Sequence, residues 1–527
     1  MLTEPPIQTL VDLLRHHADV QPQRLAIEYK QRQLSYGQLW AESGRVAASL
    51  RREGIGRGDR VAFLGRNPDL YFLMLYGCSR VGAVFVPLNW RLAPAEIEAV
   101  LADCEPLLLM VDRDFAEAIG GICTPAAMMQ PLVFTMDAVS GEHDLGSWLG
   151  DGDGEVDERP VADAEDTVVL LYTSGTTGRA KGVQLTHRCF IAPRRAEMDF
   201  GEWMQWSQPE EKLLAALPLF HIGCLSATMM AFYRGAAVLL MDAADPEAIL
   251  AAIEKKKLTR GLLVPTLINL MLASPRIADY DLFSLRLVMY GGSPIAASTL
   301  TRALAVFNCE FAQGYGMSEV AGTCVFLEPK DHDPAQPQHL LAIGKAGPIA
   351  QLAVRSIAGE PAAQGEVGEI WVRSVGLMKG YWCRPDEDRL QMLNGWYRSG
   401  DAGYCDTDGY FYLTDRYKDM IVSGAENIYP AEIERELVLH AAVQEAAVIG
   451  VPHERWGEAV HAIVVLKPGS VATAEELTTF LRMRLAGYKI PRSLEFSTPL
   501  PRNAFGKVLK YQLRDPFWIG HARRIGG

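Results

Sequence analysis

The chain has 527 residues, of which 49% are hydrophobic and 22% are charged, a composition typical of soluble proteins and a length that exceeds one compact domain. Its formal net charge of −13 argues against a nucleic-acid partner, because proteins of that class usually present a basic face. The nine cysteines include no CxxC pair, so the sequence predicts neither a zinc site nor a disulfide framework and favours a reducing, cytoplasmic compartment. We expect no signal peptide and no transmembrane segment, since no apolar run approaches the length of a membrane span.

The N-terminal part of the chain alternates predicted strands with predicted helices. A helix, a strand and a second helix are predicted over residues 7–60, and a buried strand follows at 59–64. Further strands are predicted at 83–87, 212–217, 236–241, 261–264 and 285–289, and further helices at 68–81 and 295–307. Strands that alternate with helices imply a parallel sheet covered on both faces, which places the chain in the α/β class.

Residues 172–183 concentrate three glycines, four Ser or Thr hydroxyls and the lysine Lys181. An apolar run precedes this segment and a shorter one follows it, so the pattern predicts a strand, a loop and a short strand. Backbone N–H groups of a glycine-rich turn, together with hydroxyls and an ammonium group, suit a polyphosphate. The segment lacks the Gly-Lys-Ser/Thr ending of a Walker A motif. The alternative is an exposed hairpin with no ligand.

Beyond residue 323 the alternation of strands and helices gives way to short apolar segments separated by Gly, Pro, Asp and Asn. This pattern predicts a small antiparallel or barrel-like subdomain over residues 323–416, within an N-terminal domain that spans 1–416. Residues 417–527 read as a separate small α+β domain. Its predicted elements are helices at 430–440 and 474–485 and strands at 443–451 and 460–466.

Four further segments have the character of ligand-facing turns. They are residues 290–294, 313–319, 397–401 and 501–507. The first follows a buried strand and precedes a helix, as a nucleotide-binding turn does. Tyr315 lies between glycines, where an exposed ring can stack on a base, and Glu319 is a carboxylate suited to Mg²⁺. Each residue has an alternative: Glu319 as a surface carboxylate, Asp401 as a turn residue and Lys507 as a solvated lysine.

Taken in order, these motifs resemble the adenylate-forming superfamily, which includes acyl-CoA synthetases, luciferases and the adenylation domains of peptide synthetases. The segments that carry the resemblance are 172–182, 218–221, 314–319, 368–370, 398–401, 415–419 and 501–507, and together they extend over nearly the whole chain. The resemblance is strongest to the acyl-CoA synthetase branch. It implies ATP and CoA as co-substrates, Mg²⁺ as metal, and a small C-terminal domain that is mobile.

The resemblance also implies roles for individual residues toward ATP. The residues expected to cradle the β- and γ-phosphates are Thr173, Ser174, Gly175, Thr176, Thr177, Gly178 and Lys181. The residues expected around the adenine are Gly292, Ser293, Gln313, Gly314 and Tyr315. The resemblance further places Ser318 near the α-phosphate, Glu319 on Mg²⁺ together with Thr173, and Asp401 and Arg416 on the ribose.

A two-step reaction is implied, in which acyl-AMP forms first and a thiol then displaces AMP. Lys507 matches the lysine that the small domain delivers to the first step, and Lys418 occupies the hinge between the domains. Gly424 and Ala425 match the loop that lines the thiol tunnel; many relatives have Gly-Gly there, so Ala425 puts the tunnel width in question. His221 resembles the histidine near the pantetheine path, with a core histidine as the alternative.

The acid substrate is expected to be apolar, since residues 222–230 are apolar or small and contain no Arg or Lys. A medium- or long-chain fatty acid is the main prediction; aryl, steroid side-chain and carnitine-type acids stay open. Phe220 and His221 replace the Phe-Asp pair of peptide-synthetase domains, which disfavours amino acids. Two other classes are an acyl-AMP ligase that loads a carrier protein and a non-catalytic adenylate-binding protein. We expect a monomer or homodimer and leave peripheral membrane contact open.

Overall fold

A computed structural model gives the structure of the chain. The described residues are 7–119, 132–134, 148–150, 162–173, 180–206, 210–292, 295, 297–333, 335–336, 338–356, 359–416, 419–423, 426–453, 457–485, 487–502 and 508–519. The chain divides into two compact units. The first comprises Met1–Gln351 and Arg373–Tyr397, and the second comprises Leu352–Val372 and Arg398–Gly527.

The helices of the first unit follow its strands in alternation. They are α1 (Leu10–Val20), α2 (Tyr36–Arg52), α3 (Leu70–Val81), α4 (Pro94–Cys104), α5 (Ala116–Ile119), α6 (His187–Ala196), α7 (Ile222–Tyr233), α8 (Pro246–Lys256), α9 (Pro265–Ala273), α10 (Ala297–Phe307) and α11 (Pro385–Gln391). Their starts are encoded locally. The Thr9 hydroxyl accepts a hydrogen bond from the Asp12 backbone N–H at 3.1 Å, and the Asp12 carboxylate accepts one from the Thr9 N–H at 2.9 Å. Gly82 ends α3 with φ +76°, a conformation that favours glycine.

One parallel-rich sheet of the first unit runs in the order β15-β14-β13-β12-β11-β9-β10-β1-β2. Its strands are β1 (Leu25–Tyr29), β2 (Arg32–Ser35), β9 (Lys212–Ala215), β10 (Ala237–Leu240), β11 (Arg260–Leu263), β12 (Leu287–Gly291), β13 (Glu310–Met317), β14 (Gly322–Leu327) and β15 (Gly344–Lys345). Strands β1, β10, β9, β11, β12 and β13 are mutually parallel. Helices α8, α9 and α10 pack on this sheet through residues such as Ile249, Ile268 and Leu300, which have no exposed surface.

A second sheet of the same unit has the order β18-β8-β7-β4-β3-β5-β6. Its strands are β3 (Arg60–Leu64), β4 (Val84–Pro87), β5 (Leu108–Asp112), β6 (Leu132–Phe134), β7 (Thr167–Thr173), β8 (Lys181–Thr186) and β18 (Gly380–Tyr381). Strands β3 to β7 are parallel, and β8 runs antiparallel to both β7 and β18. Helix α4 covers the sheet with Ile97 and Leu101, which pack against Val86 and Val111.

The second unit contains antiparallel strands and two principal helices. Its elements, some of which begin or end in the first unit, are β16 (Ala350–Arg355), β17 (Gly368–Ser374), β20 (Trp396–Cys405), β21 (Tyr410–Arg416), β22 (Ile421–Ser423), β23 (Glu426–Ile428), α12 (Pro430–Val438), β24 (Val443–His453), β25 (Gly457–Leu466), α13 (Ala474–Arg482), β26 (Ser493–Phe496) and α14 (Lys510–Arg514). Short β19 (Met392–Leu393) pairs with the start of β20 within the first unit. The core of the second unit packs Ile433 and Leu437 of α12 against Val448 and Val460.

The predicted α/β class is confirmed, and the predicted strands and helices occur with bounds that differ by a few residues. The short hairpin between β1 and β2 was not predicted, because β2 is only four residues long. The predicted subdomain 323–416 is divided between the two compact units, which place 373–397 with the first and 398–416 with the second. The domain boundary at 416/417 stays a prediction. Among the described helices, none combines the length and apolar character that crossing a bilayer requires.

Candidate active site

The glycine–threonine segment forms the connection between β7 and β8. Thr173 ends β7 and pairs with Lys181 at the start of β8, in an antiparallel arrangement. The predicted order of strand, loop and strand is therefore confirmed at both flanks. The predicted phosphate ligands between them, Ser174, Gly175, Thr176, Thr177 and Gly178, lie outside the described residues.

Lys181 lies beside α11 and the residues that precede it. Strand β18 pairs with β8, with Tyr381 opposite Val183, and so brings α11 next to the lysine. The Lys181 Nζ forms an ion pair with the Glu387 carboxylate and lies 5.5 Å from the centre of the Tyr381 ring. Only 15% of the Lys181 side chain is exposed. An ammonium group held at the end of a glycine-rich hairpin is suited to bind phosphate.

Two tyrosine hydroxyls surround the carboxylate of Glu319, which lies on a 3₁₀ turn, Ser318–Val320, between β13 and β14. Tyr381 donates a hydrogen bond to Glu319 Oε1 at 2.9 Å, and its hydroxyl lies 3.0 Å from that of Tyr397. Burial and the nearby Glu319 charge raise the pKa of both tyrosines, so both stay protonated and can donate. The Met378 N–H also donates to the Glu319 backbone oxygen at 2.8 Å. The Tyr381 hydroxyl thus orients the carboxylate, and the Met378 N–H fixes the backbone that carries it.

The oxygen donors present fit Mg²⁺ bound chiefly through substrate phosphates. Mg²⁺ usually keeps several waters and takes one or two carboxylates together with phosphate oxygens. Glu319 supplies one oriented carboxylate, and the Thr173 hydroxyl is partly exposed at the end of β7. Within the described part of the chain, no three His, Cys, Asp or Glu side chains group into an all-protein metal cage. The donor set therefore suits a metal that arrives with the nucleotide.

The described adenine residues, Gly292, Gln313, Gly314 and Tyr315, lie on or next to the neighbouring strands β12 and β13, where their parallel pairing ends. Gly291 pairs with Gly314, and a Cβ on Gly291 would lie 2.3 Å from the Gly314 oxygen, so the two backbones can approach only because glycine is present. Gly292 follows with φ +80°, is exposed, and would have no neighbour within 4 Å of an added Cβ. The carboxyl edge of such a sheet is where open α/β proteins bind ligands. Gln313 accepts a hydrogen bond from the Tyr290 hydroxyl at 3.3 Å.

One expectation about this edge was wrong. The sequence predicted an exposed Tyr315 ring, but only 8% of this residue is exposed. The residue is therefore buried, although it stands between two glycines in the sequence. Its role beside the adenine stays a prediction, as does that of partly exposed Ser318 beside the α-phosphate.

His221 lies at the end of the turn that follows β9, directly before α7. The buried side chain of Asn67 holds this turn: its Nδ2 donates to the Leu217 and Met241 oxygens at 2.9 and 3.0 Å, and its Oδ1 accepts from the Leu219 N–H at 3.0 Å. Burial and the neighbouring Arg91 charge lower the pKa of His221 to about 2, so the imidazole is neutral at physiological pH.

Space is present next to His221 along α7. Gly223 is exposed, and a Cβ added there would meet only Leu262 Cδ2, at 3.9 Å. The remainder of α7 is buried and mostly apolar, including Leu225, Ala227 and Met229. A neutral histidine and an open glycine at the start of an apolar helix suit an uncharged acyl or aryl group.

The predicted ribose residues lie in the second unit. Asp401 of β20 pairs with Arg416 of β21 in the antiparallel register. The Glu369 carboxylate organises the preceding turn by accepting hydrogen bonds from Arg398 Nε at 3.0 Å and the Gly400 N–H at 3.2 Å. These hydrogen bonds hold the backbone next to Asp401, and they join the Gly368-Glu-Ile motif to the Arg-Ser-Gly-Asp motif.

Several predicted residues are not placed by the structure. Ser293, Lys418, Gly424, Ala425 and Lys507 lie outside the described residues, and their roles stay predictions. Sequence reasoning overlooked Asn67, Tyr381 and Glu387. It singled out the segments 368–370 and 397–401 but gave no role to the side chains of Glu369 and Tyr397. For Tyr381 and Glu387 the signal in the sequence was the run 378–401, where glycines, aromatics and carboxylates alternate with no hydrophobic period.

Comparison with known proteins identifies the family. The model described as AMP-binding enzyme matches residues 14–382, and the model of the AMP-binding enzyme C-terminal domain matches residues 432–507. The chain belongs to the AMP-binding enzyme family. Its sequence-based identification as an adenylate-forming enzyme of the acyl-CoA synthetase branch is thereby confirmed.

The relatives of this AMP-binding enzyme match it almost end to end. A fatty acid–[acyl-carrier-protein] ligase of Streptomyces coeruleorubidus is 39% identical over 526 residues, which cover 99% of each chain. A feruloyl-CoA synthase of an Amycolatopsis species is 38% identical over 511 residues, 95% of this chain and 97% of the relative. The solved structure of o-succinylbenzoate CoA synthetase from Bacillus subtilis, in complex with ATP and magnesium ion, is 30% identical with a TM-score of 0.82 and covers 95% of this chain and 98% of that one.

Proposed function

We propose that this AMP-binding enzyme is a carboxylic acid–CoA ligase. It activates an apolar acid with ATP to give acyl-AMP and pyrophosphate, and then transfers the acyl group to the thiol of CoA, releasing AMP. The observation that carries the proposal is the arrangement of Lys181, Tyr381 and Glu319 at the end of the glycine–threonine hairpin. An ammonium group and an oriented carboxylate next to such a hairpin serve the binding of a polyphosphate and its metal. Sequence similarity to ligases over nearly the whole chain supports the proposal.

In the first step, different residues of the chain bind the phosphates, the metal, the acid and the ribose. A carboxylate attacks the α-phosphate and pyrophosphate leaves, so negative charge must be stabilised at the phosphates. Lys181 and the loop before it bind the departing phosphates, Glu319 orients the metal, and Mg²⁺ supplies the charge neutralisation when bound. Lys507 is assigned to bridge the acid and the α-phosphate. Asp401 and Arg416 hold the ribose.

The second step needs a different approach to the acyl carbon. We assign Lys418 to the hinge about which the small domain turns, which withdraws Lys507 and presents the loop with Gly424 and Ala425 to the thiol. Neutral His221 borders the thiol path and the acid pocket, where it adds no charge beside an apolar tail. A medium- or long-chain fatty acid is the proposed substrate, with aryl, steroid side-chain and carnitine-type acids as the alternatives.

A second candidate acceptor is the phosphopantetheine thiol of an acyl-carrier protein. The 39% identity to a fatty acid–[acyl-carrier-protein] ligase over almost the full chain makes this thiol the strongest candidate after CoA. Both acceptors present the same thiol chemistry, so the first step and its residues are shared. We propose a cytoplasmic location, in keeping with the free thiols of the eight described cysteines. A monomer or homodimer stays the prediction for the assembly.

The test is a pyrophosphate-release screen over fatty, aryl and steroid side-chain acids, followed by product analysis with CoA and with a holo-carrier protein. We expect release for apolar acids and an acyl-CoA product. Release that yields only acylated carrier protein would select the second acceptor. Release that yields no thioester with either thiol would refute the ligase proposal, and no release with any acid would refute acid activation.

Two substitutions test the assigned division of the two steps. Lys507→Ala should suppress adenylation far more than thioester formation from preformed acyl-AMP; equal losses would refute the role of Lys507. Lys418→Pro should show the opposite bias, because proline stiffens the hinge. Rates equal to wild type in both steps would remove the hinge assignment.

A further inference from the structure

The lysine proposed to bind the ATP phosphates already has an anionic partner within the protein. Lys181 and Glu387 form an ion pair in which 15% of the lysine side chain and 31% of the glutamate side chain are exposed. A carboxylate and a phosphate oxygen make the same kind of charge-assisted hydrogen bond to an ammonium group. Glu387 therefore occupies the kind of contact that a phosphate of ATP would make.

The position of Glu387 is built into the chain around it. The Tyr381 N–H donates to the Asp388 carboxylate at 2.8 Å, which ties the first turn of α11 to β18. Gly380 approaches the same carboxylate so closely that an added Cβ would lie 2.5 Å from Asp388 Oδ2. Just before the helix, Arg384 forms an ion pair with Asp103 at 2.5 Å. The helix is thus anchored at its start, and Glu387 is held facing Lys181.

The charge balance around Lys181 strengthens this contact. Glu387 contacts the ammonium directly. Tyr381, whose ring lies 5.5 Å from the Lys181 Nζ, donates to Asp388 through its backbone N–H and to Glu319 through its hydroxyl. Burial and the neighbouring Glu387 charge raise the pKa of Asp388. Repulsion between the Glu387 and Asp388 carboxylates favours the pairing of Glu387 with Lys181 for as long as no nucleotide and no metal are bound.

We propose that Glu387 is a positioning residue that holds Lys181 in the free enzyme and competes with the terminal phosphates for it. The inference rests on the proposed function, since it takes Lys181 as a phosphate ligand. ATP binding exchanges the carboxylate for a phosphate on the ammonium, and pyrophosphate departure allows the carboxylate to return. Glu387 thereby weakens the binding of ATP and pyrophosphate alike and promotes product release.

The test compares Glu387→Gln with the matched control Asp386→Asn on the same helix. Asp386 is 87% exposed and pairs with Arg389, so its substitution changes the charge of α11 without touching Lys181. Dissociation constants of ATP and of magnesium pyrophosphate are measured by calorimetry, and product inhibition by pyrophosphate is measured in steady state. Since the pair is partly exposed, E387Q should bind both ligands about three- to tenfold more tightly and be inhibited by correspondingly less pyrophosphate. D386N and Glu387→Asp should stay within twofold of wild type.

A double-mutant cycle separates this inference from the proposed function. Lys181→Ala should weaken ATP binding, and adding E387Q to it should bring no further change. If K181A binds ATP as tightly as wild type, the phosphate role of Lys181 fails and the proposed function loses that support. If K181A weakens ATP binding but E387Q binds pyrophosphate no more tightly than wild type, the inference alone is overturned. Should E387Q fail to fold, Glu387→Ala makes the same measurement, with the same result expected.

Discussion

Removing the hydroxyl of Tyr381 tests whether the orientation of Glu319 matters for ATP use. Tyr381→Phe deletes the donor that lies 2.9 Å from Glu319 Oε1 in a residue with only 5% of its surface exposed. A hydrogen bond to a charged group contributes about 1.5–3 kcal/mol, and each 1.36 kcal/mol corresponds to about a tenfold change in rate. If the whole effect appears at the metal site, kcat/KM for ATP falls about 10- to 100-fold. The Tyr397 hydroxyl lies 3.0 Å from that of Tyr381 and feels the Glu319 charge, so it is a second donor next to the site and places Y381F toward the lower end of this range.

The assay is adenylate formation, measured as pyrophosphate release with hydroxylamine as acceptor at several Mg²⁺ concentrations. The loss in Y381F should shrink as Mg²⁺ rises, because a less well oriented carboxylate is compensated by a higher metal concentration. Tyr36→Phe is the control: its buried hydroxyl donates to the Ala236 oxygen at 2.8 Å and has no assigned role in the site. Y36F should lose stability but not activity. A Y381F enzyme within twofold of wild type would refute the reasoning, and a Mg²⁺-independent loss would place the effect elsewhere.

Three further predictions address the acid pocket and the response to pH. Asn67→Ala removes the three hydrogen bonds of a buried side chain, so we expect a loss of about 2–4 kcal/mol in the free energy of unfolding. The thioester step should slow more than adenylation, and equal slowing of both steps in single-turnover assays would exclude a role in positioning His221. Gly223→Val fills an open space, because a Cβ at this position would meet only Leu262. The value of kcat/KM should fall for bulky acids and stay within threefold of wild type for short ones. An unchanged preference among acids would show that the acid does not bind next to this glycine. Burial lowers the pKa of His187 from 6.5 to about 4. Between these pH values the unfolded chain binds a proton that the folded protein does not bind. The free energy of unfolding should therefore fall by about 3 kcal/mol as the pH falls from 6.5 to 4. His187→Asn retains an acceptor for the Leu10 N–H. Its free energy of unfolding, measured with denaturant, should decline less steeply across this pH range than that of the wild type. An equal decline in the two proteins would contradict the assignment.

The periodicity of the sequence was sufficient to predict most elements of the fold. Strands such as β3 and β12 and helices such as α10 occur where apolar spacing predicted them, because the preference for a strand or helix is carried by residues that are neighbours in the chain. The flanks of the glycine–threonine loop were predicted for the same reason, since glycines and an apolar run mark a turn and its strands.

The candidate site was predicted only where a motif is contiguous. Lys181, Glu319 and His221 each stand in a short recognisable segment, whereas their partners come from distant parts of the chain. Tyr381 is 62 residues from Glu319, and Asn67 is 150 residues from Leu217. No local pattern in the sequence contains such a pairing.

The sequence by itself determined the α/β class and the family, and it supplied the residues that are predicted to ligate a nucleotide. The tertiary structure decided which side chains hold those residues and which are buried. The pairing of β18 with β8 brings Tyr381 and Glu387 to Lys181, and Tyr315 is buried. The physical reason is that local propensity depends on near neighbours, while ion pairs, hydrogen bonds and burial depend on which strands lie side by side.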